Sequence, residues 1–255
     1  MQRYDSHIGS AWVSEMLSKE LFVPGSMDDL SSEWLQMALA DSFPRSRFTS
    51  LSRERIGEAF GFASQIYRCG WQEGNSRQSV VVKLWSTDSK AGVQEALFYR
   101  SFKGIGIRIP QYHYSAINEK NNKAVLVLED LMDAVQGAIL SPLDLNRAKN
   151  IALMIARMHG TWLSRPKRSD YPWLPESSDW NQTPAWLVSR KMECVKRFDK
   201  YLMGFSRQLL GKMELAPEVA NERLATAPAT LCHDDFHLDN IMFERQSEPV
   251  LLDWS

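Results

Sequence analysis

The chain has 255 residues, enough for one large domain or two lobes, with 44% apolar and 24% charged residues, the proportions of an ordinary soluble globular protein. A formal net charge of -1 excludes a nucleic-acid binder that relies on bulk positive charge, and the basic clusters at 45–55 and 165–168 read as solvated loop faces. The longest apolar run, Ala124-Val125-Leu126-Val127-Leu128, is strand-sized and excludes a membrane span, while the N-terminus shows no apolar signal region. Cys69, Cys194 and Cys232 form no CxxC pair and read as reduced, mostly buried thiols, so a cytoplasmic protein is expected.

In chain order, residues 1–25 form a weakly specified leader with a short helical patch, and a helix follows from Leu30 to Ala40 before Phe43-Pro44 stops it. Strands are predicted from Ile56 to Gly61, from Gln65 to Trp71 and from Ser79 to Trp85, with Glu73-Gly74-Asn75-Ser76 as a hairpin turn. A helix from Gly92 to Phe102 precedes Gly104, Gly106 and Ile109-Pro110. Further strands then run to Leu128, with a hairpin tip at Glu119-Lys120-Asn121-Asn122. Ser141-Pro142-Leu143-Asp144 has the residues of a helix start, and Ile151, Met154, Ile155, Met158 and Trp162 form one apolar stripe behind it. A Pro- and Trp-rich loop covers 165–184. A long helix is predicted from Ala185 to Leu210, with Leu187, Cys194, Phe198, Leu202, Phe205 and Leu209 inward. Short strands, Thr230-Leu231-Cys232, Ile241-Met242-Phe243 and Val250-Leu251-Leu252, flank a charged cluster.

That cluster, His233-Asp234-Asp235-Phe236-His237-Leu238-Asp239-Asn240, concentrates polar groups between apolar flanks, an expensive arrangement unless they are paired or bound to a metal. One reading is a hydrolase site with His233, Asp234, Asp235 and His237 on zinc or manganese. The other is a phosphotransferase loop. There an aspartate deprotonates an attacking hydroxyl, an asparagine five residues later offers a neutral oxygen to magnesium, and a further aspartate after a strand holds the metal. Asp253 supplies that last group, and the hydrolase reading leaves Asn240 and Asp253 unexplained. The second reading also asks for a strand lysine to neutralise phosphate, a helical carboxylate to position it, and a flexible turn before it. The 57–64 segment, with Gly57, Gly61 and Ser64, then Lys83 and then Glu95 appear in the chain order this reading requires. Alone, a strand lysine is more often an edge charge and a helical glutamate more often solvated. The order carries the argument.

His-x-Asp-x-His-x-x-Asn followed by an apolar strand and Asp253-Trp254 resembles the aminoglycoside phosphotransferase and choline-kinase-like superfamily, and more closely its ecdysteroid-kinase-like branch. Supporting segments are Ser32-Glu33-Trp34-Leu35, Ile56-Gly57, Gly61-Phe62, Tyr67-Arg68, Phe98-Tyr99-Arg100, Gln136-Gly137 and Ala156-Arg157-Met158-His159-Gly160. The resemblance implies an α+β, bilobal protein-kinase-like fold: a leader and antiparallel nucleotide-binding lobe over 1–128 and a mainly helical catalytic lobe over 129–255. It implies Asp235 as catalytic base, Asn240 and Asp253 as magnesium ligands, and Lys83, oriented by Glu95, on the nucleotide phosphates. The backbone at Glu129, Asp130 and Leu131 would meet the adenine edge. His233 would be a hydrogen-bonder within the loop, and His237 a contact of substrate or a packing residue. Trp162, Trp173, Trp180 and Trp186 fall where such enzymes build an acceptor pocket, although packing is the commoner use of such residues. ATP, with GTP as the other candidate, would be the donor and a small organic hydroxyl compound the acceptor. Asp234 and Ala59 stand where the family usually has glycine. Family members also continue well past the metal-binding aspartate, whereas this chain ends at Ser255, so a truncated C-terminal lobe is expected, and with it an alternative in which the chain binds nucleotide without catalysing transfer.

Overall fold

The computed structural model describes residues 22–57, 64–86, 89–102, 104–164, 168–174, 184–212, 227–245 and 248–254. The expected leader therefore lies almost wholly outside the described residues. Two compact units are present, Met1–Thr161 with Cys232–Ser255, and Trp162–Leu231.

The first unit is built on a five-stranded antiparallel sheet of order β1-β2-β3-β5-β4, formed by β1 (Ser52–Ile56), β2 (Gln65–Glu73), β3 (Ser76–Trp85), β4 (Tyr112–Asn118) and β5 (Lys123–Glu129). Gly74, at φ +59°, turns β2 into β3, a conformation that glycine adopts without steric cost. At the β4–β5 tip the Asn118 and Asn121 side chains accept from the Lys120 and Lys123 amides. The predicted strand from Ile56 to Gly61 is displaced: β1 ends at Ile56, and Gly57 leaves it at φ +72°.

Strand alternation sorts the sheet into two faces. Val80, Val82 and Leu84 of β3 and Val125 and Val127 of β5 pack with Trp34, Leu35 and Leu39 at helix α1 (Ser32–Ala38), whose Ser31 cap accepts from the Trp34 amide. The intervening residues Lys83 and Trp85 face helix α2 (Lys90–Ser101), begun by the Ser89 cap on Gly92 N. A Cβ on Gly92 would run into the buried Trp85 indole, which has no room to retreat. Gly92→Ala is therefore expected to lower stability by about 1–3 kcal/mol through overpacking, although alanine is the better helix former. Urea unfolding of the two proteins measures it; equal midpoints would contradict the packing.

Helix α3 (Leu145–Trp162) buries Ile151, Met154 and Met158 from the predicted stripe. Its start differs from the sequence expectation. Asp144, not Ser141, caps it, accepting from Arg147 N at 2.9 Å, so the helix begins three residues later than the Ser-Pro signal suggested. A second sheet of order β6-β7-β8 joins β6 (Val135–Gln136), which the sequence did not reveal, to β7 (Ile241–Phe243) and β8 (Pro249–Leu251). No strand forms at 230–232.

The second unit carries α4 (Pro184–Phe198) and α5 (Gly204–Lys212). The single helix predicted over 185–210 is broken: Leu202 is extended, and Arg207 spans the break with bonds to Asp199 O and Leu202 O and an ion pair to the Asp199 carboxylate at 2.7 Å. Phe198, Phe205 and Leu209, expected inward, are exposed. Tyr171 meets the rings of Trp162 and Trp173 edge-on. Trp180 and the Trp186 side chain lie outside what is described.

Of the thiols, Cys69 is buried and pushed up to about 12 by burial, but Cys232 is exposed and Cys194 half-buried, which corrects the expectation of mostly buried cysteines. Among the described residues no helix is long and apolar enough to cross a membrane. His113 on β4 is half-buried, with Nδ1 unpartnered among the described residues and its ring 5.2 Å from Phe43. Burial holds its pKa below the ordinary 6.5, against the pull of Glu129. The unfolded chain then takes up a proton first as pH falls through 6.5, so stability should decline below that pH. Thermal midpoints at neutral and mildly acidic pH should fall further in the natural protein than in His113→Phe.

Candidate active site

The polar side of β3 and α2 meets the end of β8. Lys83, 8% exposed, places Nζ 2.8 and 2.6 Å from the two carboxylate oxygens of fully buried Glu95 and 2.9 Å from Oδ1 of Asp253. Three residues separated by up to 170 positions thus converge on one ammonium group. Burial favours the neutral amine, but the two carboxylates outweigh it and hold the Lys83 pKa above its usual value. Burial likewise pushes Glu95 up, with the Asp253 charge adding to it and Lys83 opposing. For Asp253 burial acts upward, yet the Lys83 ammonium prevails and keeps the carboxyl below its ordinary value. Asp253 adopts φ +62°, a left-handed conformation that aspartate tolerates better than most residues, and its side chain stays 44% exposed.

The 233–240 loop lies against the same strand end. His233 donates from Nε2 to Leu252 O at 2.6 Å, a bond from the loop to the end of β8, and burial lowers its pKa. Asp234 sits at φ +73°, a backbone state in which glycine is unstrained, which gives the physical meaning of the departure from the family pattern. Burial and then the Asp235 charge raise the Asp234 carboxyl. A short 3-10 turn, Leu238–Asn240, turns Asn240 inward, and its Nδ2 donates to Asp235 O at 3.0 Å and Asp235 Oδ2 at 3.2 Å. Those partners are acceptors, so they fix the amide orientation and leave Oδ1 facing no donor among the described residues. Leu252 N donates to Asn240 O at 2.9 Å, tying the loop to the residue before Asp253.

His237 Nε2 lies 3.2 Å from Asn240 Nδ2 and 3.4 Å from the Asp235 carboxylate, with Asp239 3.9 Å from Nδ1. Asp239 was not singled out in the sequence, yet it anchors the loop from the other side. Its Oδ1 accepts from Ile139 N at 2.9 Å and its carbonyl from Gln136 Nε2 at 2.8 Å. Gly137 sits so close to Leu238 O that a Cβ would collide with it, which accounts for the Gln136-Gly137 pair.

Gly57 and Ser64 bracket the β1–β2 turn, and Gly61 lies outside the described residues. Register places the facing ends of β1 and β2 beside Lys83, since Ile56 pairs with Ile66 and Ile66 with Lys83. Glu129 and Asp130, expected near the nucleotide base, spend their carboxylates elsewhere. Arg108 makes a bidentate bond to Glu129 at 2.8 and 2.9 Å and reaches Glu244 at 2.8 Å. Asp130 accepts from Arg68 and Ser79, both at 2.7 Å. The backbone is what this segment has left to offer a ligand, although the Leu131 carbonyl accepts from Ala134 N at 3.0 Å. Arg68 and Arg108 were missed as partners because their carboxylates lie 62, 21 and 136 residues away, beyond any local pattern.

The donor set fits magnesium rather than zinc. Asn240 Oδ1 and the Asp253 carboxylate are hard oxygen donors. Among the described residues no group of three or more His, Cys, Asp or Glu side chains is placed to hold a metal ion.

A lysine of the central strand locked to a helical glutamate, above a loop of Asp and Asn and a strand-end Asp, is the layout of a bilobal protein-kinase-like α+β fold. The model of the phosphotransferase enzyme family matches residues 59–255, and the chain belongs to that family. Among solved structures, the GDP complex of wild-type aminoglycoside 2'-phosphotransferase-IIIa aligns at 18% identity with a TM-score of 0.53, covering 88% of this chain and 72% of that one. The GDP complex of a point mutant of that enzyme aligns over the same shares at 18% identity and a TM-score of 0.50. At that identity the likeness concerns the fold. No curated protein matches the chain.

Proposed function

We propose that this chain transfers the γ-phosphate of ATP, or of GTP, to a hydroxyl of a small organic molecule in the cytoplasm, as a member of the ecdysteroid-kinase-like or choline-kinase-like branch of its superfamily. The observation that carries the reading is the convergence of Glu95 and Asp253 on Lys83. A buried cation held between two carboxylates has one too many anions for a purely structural pair. That excess is useful if a nucleotide phosphate takes the Lys83 ammonium while Asp253 turns to a metal ion. The GDP in the structural neighbours fits a nucleotide site.

Lys83 would bind phosphate oxygens and Glu95 would keep the ammonium from following them. The β1–β2 turn, with Gly57, Gly61 and Ser64, would cover the phosphates with backbone amides, and the backbone of Glu129, Asp130 and Leu131 would border the base. Asn240 and Asp253 would hold magnesium, which when bound supplies charge neutralisation across the phosphates. Asp235, its side chain 64% exposed, would accept the acceptor's hydroxyl proton as that oxygen bonds to the γ-phosphorus and the bond to the nucleoside diphosphate breaks. His233 and His237 would hold the loop in shape.

The test is mass spectrometry of the full chain incubated with ATP or GTP, magnesium and separate pools of amino alcohols, aminoglycosides, steroids and lipid alcohols. A gain of one phosphoryl group in one pool, absent with EDTA, is expected. Hydrolysis of a substrate with stoichiometric zinc or manganese and no nucleotide requirement would contradict the reading.

A further inference from the structure

Two consecutive carboxylates where β5 ends are tied to two different arginines. Glu129 is held by Arg108 at 2.8 and 2.9 Å and accepts from the Gln111 amide at 2.9 Å. Asp130, the next residue, is tied instead to the sheet. Arg68 Nε meets its Oδ2 at 2.7 Å and Nη2 its Oδ1 at 3.2 Å, while Ser79 Oγ donates to Oδ2 at 2.7 Å. The Asp130 side chain is only 3% exposed, so its carboxylate is closed to a ligand, and its donors come from β2 and β3. Glu54 adds no more than a 3.8 Å contact to Arg68 from an exposed position. Directly paired residues share a sheet face, and Arg68 pairs with Val81 as Ile66 pairs with Lys83. Arg68 therefore lies on the face that carries Lys83, two residues (roughly 7 Å) along β2 from the partner of that lysine. A guanidinium fork fixes direction as well as distance, which a point charge does not. With Glu129 and Asp130 both held in this way, the backbone between them has no freedom to rotate unless a bidentate pair breaks.

We propose that Arg68 and Asp130 are positioning residues for the purine base: their forked pair, with Ser79, sets the direction of the 129–131 backbone that borders it. This rests on the reading of that backbone as the edge that meets the base. The Asp130 carboxylate touches no ligand; it acts by turning its own main chain. Arg68 and Ser79 carry the reference frame, because they sit on the strands that also place Lys83. Base and phosphates are thereby held in one fixed relation.

The test is the ratio of the dissociation constants of inorganic tripolyphosphate and of ATP, each titrated calorimetrically into the full chain in excess magnesium. Only ATP carries a base, and the natural protein should bind it more tightly. Arg68→Lys keeps the charge and loses the fork; Asp130→Asn keeps the shape and loses the charge. Each should lower the ratio by about three- to tenfold, the value of one misdirected hydrogen bond, with the tripolyphosphate constant unchanged. The double variant should do no more than either single one, since both break the same pair. Ser79→Ala, outside the ion pair, should lower the ratio in the same direction. A merely structural role would weaken both ligands alike and leave the ratio constant, which would overturn the proposal. Should both ion-pair variants lose a cooperative melt, Ser79→Ala decides alone, and an unchanged ratio there overturns it. A natural protein that binds neither ligand removes the nucleotide reading and the proposal with it. One that binds tripolyphosphate as tightly as ATP removes the base contact and the proposal, and leaves the phosphate site standing. Preference for ATP that persists undiminished in all three single variants overturns the proposal alone.

Discussion

Asp235→Asn is expected to slow phosphate transfer by about 10²- to 10⁴-fold, the range for losing a positioned general base, while leaving nucleotide affinity unchanged. The substitution is nearly isosteric. Asn240 Nδ2 keeps its bond to the Asp235 carbonyl, and the amide oxygen of the new residue can receive the bond now made to Oδ2, so the loop should hold its shape. What disappears is the capacity to accept a proton. Asp235 is well placed for that role because its carboxylate is mostly exposed and lies opposite no cation of the described residues except a protonated His237, leaving it open to an incoming hydroxyl. Single-turnover transfer measured beside equilibrium nucleotide binding separates the two effects. Undiminished transfer would show that Asp235 is not the base.

Glu95→Ala should destabilise the fold by about 3–5 kcal/mol, since it leaves Lys83 buried with half its compensation. The ammonium can lean only on Asp253 at 2.9 Å, and a carboxylate so occupied is less available to a metal. Nucleotide binding should therefore weaken together with stability. The double variant Lys83→Met with Glu95→Leu discriminates the causes: two apolar residues of similar volume remove the buried charges, so stability should largely return while nucleotide binding stays lost. Urea unfolding and nucleotide titration of both variants measure this. A single variant as stable as the natural protein would mean that the Lys83–Glu95 pair is not the buried, mutually dependent contact described.

The parts of this site that were legible in the sequence are those whose signals are local. Lys83 stood out because it interrupts an apolar β-strand whose neighbours Val82 and Leu84 face the other way, toward α1. Glu95 was picked out as the helical carboxylate that the phosphotransferase reading asks for after the lysine, and the loop from its density of polar groups between apolar flanks. The strands of the five-stranded sheet could be read from alternation and turn residues, apart from β1, which forms at Ser52–Ile56 and shares only Ile56 with the strand expected there. Features set by distant partners could not. Nothing in the sequence around Arg108 indicates that it will join Glu129 to Glu244, nor that Asp239 will secure the Gln136–Ile139 segment. The predicted helix over 185–210 failed for a related reason. Its apolar spacing continues through Leu202, but Arg207 folds back on Asp199 and stabilises a break that helical periodicity does not register. Asp234 illustrates a third limit: its departure from glycine reads as an added charge in sequence, and only the backbone at φ +73° shows that conformation is what the position demands.

The central claim is that Lys83 and Asp253 form a magnesium-dependent nucleotide site. Calorimetric titration of ATP into the natural protein and into Asp253→Ala, each with magnesium and with EDTA, tests it most directly. Magnesium should tighten ATP binding to the natural protein, and the variant should bind ATP equally in both media, because it lacks the proposed charged metal ligand while Lys83 and Glu95 remain paired. Equal binding in both media by the natural protein, or a magnesium effect undiminished in Asp253→Ala, would contradict it.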